Sequence, residues 1–233
     1  MKKVVVYCGT FNVYPYMAAA AKSLLHRVRG IDKVYFLIET DEFTEPLPDV
    51  IQCINVKDTP YIDPNGPNFE NGWTWMVMTR LALHHILPDE DRVLYLDCDT
   101  IAMFDFGELF DIDLGDNVLG AVREPSRCRT PFVYFNAGVL LMDLNKMREG
   151  IGDHLLHMVN HRKLGCPDQD AINILCQGRI LELDPIYNSS EWTRQPMDAR
   201  ITHYAGVKRY WEHKLFKEYL NMKWSDLNAR KQR

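Results

Sequence analysis

The chain has 233 residues, 46% of them hydrophobic, and a formal net charge of -5, the profile of a globular protein able to bury a sizeable core. The mild acidity argues against general nucleic-acid binding, and no apolar run approaches the length of a membrane span. Its six cysteines, at 8, 53, 98, 128, 166 and 176, form no C-x-x-C pair and no Cys/His spacing typical of zinc, so thiols in a reducing compartment are expected.

The opening Met1-Lys2-Lys3 leads into an apolar run too short for a secretory segment, which predicts a cytoplasmic protein. No Gly/Ser/Pro-rich linker divides the chain, so one domain is expected over 1–233. Lys2 to Tyr7 predicts a strand, Gly9 to Asn12 a turn, and Pro15 the first turn of a helix running to about Arg29. Lys33 to Ile38 and Val50 to Val56 predict two further strands. Strand, helix, strand at this spacing is the parallel α/β pattern, in which ligands gather at the carboxyl ends of strands. The turn from Gly9 to Tyr14 then borders the site, yet it lacks the G-x-G-x-x-G and P-loop spacings. Any nucleotide phosphate must be held another way.

Asp58 to Gly72 is a turn-rich loop of the length that forms lids, with an irregular surface connection as the equal alternative. Trp73 to Leu87 predicts one helix with an apolar face, ended by Pro88. Arg80 within it either snorkels or points into the site. Val93 to Leu96 then reads as a strand buried on both faces, ending abruptly in Asp97-Cys98-Asp99 before apolar residues resume at Ile101. An ionised carboxylate in such company needs a cation or several donors. In extended chain, residues i and i+2 share a side about 6–7 Å apart, so Asp97 and Asp99 converge on one ion while Cys98 faces the core. Oxygen ligands suit Mg²⁺ or Mn²⁺. The alternative is that the aspartates only cap the turn.

Gly107 to Asp113 predicts a short acidic helix or turn, and Asn117 to Arg123 a strand. The loop from Arg123 to Pro131 holds three arginines, either an anion-friendly patch or solvated charge. Phe135 to Leu144 is a buried strand whose entry, Asn136-Ala137-Gly138, permits close approach of a ligand to backbone. Lys146 to Lys163 predicts an amphipathic helix with His154, His157 and His161 on its surface. Pro167 to Asn173 opens the next helix. Dipole compensation accounts for Asp168 and Asp170 but not for Gln169. Arg179 to Leu183 and Arg200 to His203 predict late strands, and the sequon Asn188-Ser189-Ser190 between them is expected to be idle. His203, followed by Gly206 and the cations Lys208 and Arg209, either completes a metal site or is structural. Trp211 to Leu227 predicts a final helix. The basic tail after it supports at most weak peripheral contact with an anionic membrane.

Four blocks in order, Arg80 before Leu94-Tyr95-Leu96-Asp97-Cys98-Asp99, then Phe135-Asn136-Ala137-Gly138, then Asp168-Gln169-Asp170, then His203-Tyr204-Ala205-Gly206, resemble glycosyltransferase family 8 almost end to end. The resemblance implies a GT-A fold: an α/β, Rossmann-like single domain with a mixed, mostly parallel central sheet flanked by helices. It implies retaining transfer of a hexose, glucose or galactose, from a UDP-sugar to a carbohydrate or other hydroxyl acceptor. It assigns Mn²⁺, or Mg²⁺, to Asp97, Asp99 and His203, and the pyrophosphate to Gly206 with Lys208 or Arg209. Arg80, Asn136, Asp168 and Gln169 fall at the donor sugar and reacting centre, with Cys98, Ala137 and Gly138 along the donor. Thr10, Asn12 and Tyr14 are implied at uracil and ribose, although the acidic or Asn-Asp pair usual in that turn is absent. The late block also departs, reading Lys208-Arg209-Tyr210-Trp211 where Lys-Pro-Trp is usual. The acceptor is expected against the Asp58–Gly72 and Arg123–Pro131 loops. The competing readings are a haloacid-dehalogenase-like phosphatase with Asp97 as nucleophile, and a nucleotide-sugar-binding protein without turnover.

Overall fold

Val4–Thr10 (β1) is apolar and β-branched and buried along its length, as a strand covered on both faces must be. Its alternate residues feed two separate cores, Val5 and Tyr7 on one face and Val4, Val6 and Cys8 on the other. The computed structural model describes residues 1–41, 43–70, 72–129 and 132–230. After β1, Pro15 opens α1 (Tyr14–Arg27), whose run Ala18 to Ala21 is buried and lets the helix lie close on the sheet. The remaining strands are β2 (Lys33–Glu39), β3 (Ile51–Asn55), β4 (Arg92–Leu96), β5 (Thr100–Ala102), β6 (Leu119–Arg123), β7 (Phe135–Asp143), β8 (Ile180–Glu182) and β9 (Ile201–His203). The helices after α1 are α2 (Leu83–Ile86), α3 (Leu144–Lys146), α4 (Gly152–His161), α5 (Pro167–Leu175), α6 (Lys214–Asn221) and α7 (Trp224–Arg230).

Seven strands form one sheet in the order β3-β2-β1-β4-β7-β6-β8, and β5 pairs with β9 in a separate ribbon. The pairs β1–β2, β2–β3, β1–β4 and β6–β8 are parallel, whereas β7 runs antiparallel to both β4 and β6. This is the mixed, mostly parallel sheet expected from the sequence. Helices α1 and α6 cover one face, and α4 and α5 pack with the segment 75–82 on the other. No helix among the described residues is long and apolar enough to cross a membrane.

Three predicted helices come out differently. Residues 73–87 hold a 3-10 helix, Trp75–Ala82, followed by the single turn α2. A 3-10 helix aligns residues three apart, and Thr74, Val77 and Arg80 share the side that faces the central cleft. The helix expected over 146–163 breaks at Gly150, whose φ of 114° only glycine adopts readily, so a π-turn (Met147–Ile151) separates α3 from α4. The last helix is two, because Met222 turns its side chain into the core in extended backbone and Asp226 accepts the Lys223 N–H at 2.9 Å. Residues 231–233 of the basic tail lie outside the described residues.

Candidate active site

The sheet places the site. Parallel pairing brings the ends of β1 and β4 to one edge, and the antiparallel β7 begins at that same edge, with Leu96 opposite Val139. A cleft of about 500 Å³ opens there, with Thr10, Arg80, Asp97, Asp99, Asn136, Gly138, Asp168, Gln169, His203 and Gly206 on its walls. Cys98 and Ala137 line it as well.

Asp97 and Asp99 converge, but not through an extended strand. The backbone turns after Leu96, and Thr100 closes the turn by donating its N–H and its hydroxyl to the Asp97 carbonyl at 3.2 and 2.8 Å. Cys98 is half-buried, with Sγ donating to the Cys8 carbonyl at 3.2 Å. His203 arrives because β9 pairs with β5, Thr100 opposite His203. Its Nε2 stands 3.2 Å from Asp99 Oδ1 and 3.6 Å from Asp97 Oδ2.

Asp97 divides its oxygens between two tasks. Oδ1 accepts from Arg80 at 2.9 Å and from the Tyr95 hydroxyl at 2.8 Å, which leaves Oδ2 for the His203 side. One ligand atom each from Asp97, Asp99 and His203 lies within 4.8 Å of the others. Two hard oxygens and one imidazole nitrogen fit Mn²⁺ or Mg²⁺. Burial disfavours a charged His203, but Asp99 and Asp97 outweigh it and raise its pKa, so this corner of the cleft attracts positive charge.

Arg80 is buried and bridges two acids, Asp97 and Asp168, with its Nε 3.1 Å from the latter. Its Nη1 donates to the Ala137 carbonyl at 2.6 Å, and the guanidinium lies 4.3 Å over the Tyr95 ring. Burial works against its charge, yet Asp168 and Asp97 hold its pKa above the ordinary value. Burial raises the pKa of Asp168, with Arg80 opposing.

A continuous hydrogen-bonded chain runs from His203 to Gln169. His203 Nδ1 donates to Asn188 Oδ1 at 2.9 Å, and Asn188 Nδ2 donates to Asn136 Oδ1 at 2.9 Å. Asn136 Nδ2 and Gln169 Nε2 both donate to Glu124 Oε2 at 3.1 Å, while Gln169 Oε1 accepts the Ala137 N–H at 2.8 Å. Every amide orientation agrees with its neighbours. The Asn188 oxygen can only accept, so Nδ1 of His203 carries a proton, and Nε2 is the ring nitrogen that faces the carboxylates.

Glu124 and Asn188 were not singled out from the sequence as site residues, and both are buried here. Neither carries a local signal: Glu124 sits among loop arginines and Asn188 reads as a sequon. Trp192 was also missed. It is exposed over Gly206, with Nε1 donating to the Ala205 carbonyl at 2.9 Å. Two of the three arginines of that loop are paired, Arg123 with Glu182 and Arg127 with Glu124.

Of the other expected contacts, one is on the cleft wall and the rest lie off it. Thr10 lines it and hydrogen-bonds Asn12, which is exposed beside it. Tyr14 is buried, edge-on to Phe36 and Phe43 and stacked behind the exposed Phe11. Lys208 is exposed, and Arg209, in the left-handed region at φ 58°, is ion-paired with Glu212. The Asp58–Gly72 loop packs on α4, where the buried Asn68 amide donates to the Val159 and Arg162 carbonyls at 2.6 and 2.7 Å. Among the described residues of this stretch, those that reach the cleft are Trp73 and Thr74, just after the loop. Asn71, Thr130 and Pro131 of the two candidate acceptor loops lie outside the described residues.

The model of glycosyl transferase family 8 matches residues 4–214. The chain belongs to that family. Among its family 8 relatives, the probable glycosyl transferase Gly of Streptococcus gordonii is 26% identical over 97% of this chain and 36% of its own length. Glycosyltransferase GlyE of Streptococcus pneumoniae is 30% identical over 80% of this chain and 48% of its own length. The chain thus spans between about a third and about half of these relatives. Among solved structures, galactosyltransferase LgtC, determined with donor and acceptor sugar analogs, superposes with a TM-score of 0.71 at 22% identity, covering 97% of this chain and 99% of that one. The fold is GT-A, as the resemblance implied. Family 8 membership leaves the phosphatase reading without support.

Proposed function

We propose that this chain transfers a hexose, glucose or galactose, from a UDP-sugar to a hydroxyl of a carbohydrate or similar acceptor with retention at the anomeric carbon, and that residues 1–233 act as one GT-A unit. The observation that carries the reading is the meeting of Asp97, Asp99 and His203 in the same cleft as Arg80, Asp168 and Gln169. The sequence has no glycine-rich phosphate loop, and Asp97, Asp99 and His203 would hold Mn²⁺ or Mg²⁺ for the donor's diphosphate. Such an ion supplies charge stabilisation for the departing diphosphate.

The protein's own residues do the rest. Arg80 holds Asp97 and Asp168 in fixed relation through its fork of donors. Asn136 and Gln169 are immobilised by Glu124, so both are pre-organised beside the donor sugar. The transition state is oxocarbenium-like, as in glycoside hydrolysis. An Asp168 carboxylate engaged by Arg80 is a weakened nucleophile, which favours front-face attack with Asp168 and Gln169 supporting the charge at C1. A glycosyl adduct trapped on Asp168 by mass spectrometry would overturn that choice.

Gly206, on the cleft wall at φ 73°, lets the pyrophosphate approach backbone, and closure of its segment would bring Lys208 or Arg209 onto it. Thr10 and Asn12 face the nucleoside, with Tyr14 backing Phe11. Cys98, Ala137 and Gly138 border the donor. The acceptor enters at the mouth between Trp73, just after the first candidate loop, and Arg127, within the second.

The test is thermal melting of wild type and Asp97→Asn with UDP, each with and without Mn²⁺. Ligand near a hundredfold above its dissociation constant adds about 2.7 kcal/mol, a shift of several degrees for a chain of this size. Wild type stabilised only by UDP and Mn²⁺ together, with no response from the mutant, is the expected result. Indifference to UDP in both metal states removes the donor.

A further inference from the structure

Five of the chain's eight histidines, at 84, 85, 154, 157 and 161, fall on α2 and α4, away from the donor cleft. Two of them meet an acid there. His84 Nε2 and His85 Nε2 stand 3.3 and 2.7 Å from the same oxygen of Asp153, Oδ1. These three ligand atoms all lie within 4.8 Å of one another. A tetrahedral zinc with bonds of about 2.0–2.1 Å spaces its ligand atoms about 3.3–3.4 Å apart, so the trio needs little rearrangement to close on one ion.

The rings are fixed before any ion arrives. The His84 side chain is 1% exposed, and its ring occupies the space that a side chain at position 152 would take, since a Cβ on Gly152 would stand 2.4 Å from its Cε1. His85 stacks on Tyr61 with centroids 4.7 Å apart and planes 9° from parallel. Asp153 is 63% exposed, which leaves a water-accessible side for a fourth ligand. Little rotamer entropy remains to be lost on binding, the condition for an affinity above that of scattered surface histidines.

We propose that His84, His85 and Asp153 form a second metal site, specific for a divalent transition metal of the zinc type. Two imidazoles and one carboxylate are a borderline donor set that suits zinc, whereas the oxygen-rich set of the donor cleft suits manganese or magnesium. The ion staples α2 to α4. Because the 3-10 helix Trp75–Ala82 runs straight into α2 and α4 packs on α5, the staple joins the supports of Arg80 and of Asp168-Gln169. The competing account, that Asp153 is merely a first-turn acid accepting two imidazole hydrogen bonds, predicts no affinity for zinc beyond that of exposed histidines.

The experiment compares three forms of the 233-residue chain, stripped with chelator and titrated with ZnCl₂ by calorimetry and by metal analysis after dialysis. They are wild type, the double variant His85→Ala/Asp153→Asn, and the control His157→Ala/His161→Ala. All four substituted residues are at the surface, so folding is retained. Expected is one zinc equivalent fewer in the first variant and none fewer in the control. In a melt at zinc about a hundredfold above the dissociation constant, wild type and control gain about 5–10 °C that the first variant lacks. Equal stoichiometry in wild type and His85→Ala/Asp153→Asn, or an equal loss in the control, overturns the site.

Discussion

Gly138 lies directly against the His203 ring: a Cβ at position 138 would stand 2.0 Å from Cε1 of the imidazole. The glycine is therefore a spatial requirement of the histidine and not of any turn. Gly138→Ala should push the ring off the two aspartates. Since a displacement of about 1 Å costs about 10²-fold in rate, transfer should fall at least that far, and the Mn²⁺-dependent UDP shift in melting should disappear. An unchanged shift would mean that His203 is dispensable to the cation.

Asn188 holds the Nδ1 proton of His203 and satisfies Asn136 with its other end. Asn188→Ala leaves both buried groups without that partner, at a cost of about 1–3 kcal/mol. Loss of a partner behind a metal-binding histidine also weakens metal affinity about 10–100-fold. Calorimetric titration with Mn²⁺ in the presence of UDP reads the second effect separately from the loss of stability.

Arg80 compensates two acids in a buried setting. Arg80→Met strands both, and breaking a buried pair on one side costs about 3–5 kcal/mol, which for this chain length lowers the melting temperature by about 10 °C. Arg80→Lys keeps the charge but cannot reach Asp97, Asp168 and the Ala137 carbonyl with one fork, so it should be partly stable and still poorly active. Denaturation curves alongside transfer assays separate the two variants.

Glu124 receives the amides of Asn136 and Gln169, away from the corner where Asp97 and Asp99 meet His203. Glu124→Gln turns one accepting oxygen into a donor that opposes them. Transfer should drop about 10–100-fold while the melting shift with UDP and Mn²⁺ stays as in wild type. Equal loss of both would place Glu124 in metal binding instead.

Four of the six thiols, Cys8, Cys53, Cys98 and Cys176, should be slow to react in the folded protein. Burial pushes Cys53 and Cys176 up to about 11 and raises Cys8 and Cys98 as well. At pH 8 the thiolate fraction of Cys53 and Cys176 is then about a thousandth, against roughly a quarter for a free thiol. Alkylation followed by mass spectrometry at pH 8 should label these four far more slowly in native protein than in guanidinium, and native labelling of Cys53 should climb as pH approaches 11.

The strands were legible because burial on both faces leaves unbroken apolar runs, as in Val4 to Tyr7 and Val93 to Leu96. The helix from Pro15 was equally plain, since proline and the alanine run mark it locally. Asp97 and Asp99 stood out because charge at the end of such a strand demands a partner. Helix continuity was not legible where it hung on one residue's backbone or on a distant side chain. Gly150 breaks a pattern that periodicity reads as continuous, and the 3-10 spacing of Thr74, Val77 and Arg80 answers to the cleft they face.

Partnership across the fold was decided only in three dimensions. Nothing near His203 in sequence says that β9 will pair with β5 and deliver it to the aspartates, and nothing near Asn188 or Glu124 says that they will tie that histidine to Gln169. Local sequence encodes which face of an element is buried, through periods of two and 3.6 residues. A buried polar group is satisfied by whichever partner the packed fold brings within about 3 Å, and that choice leaves no period to read.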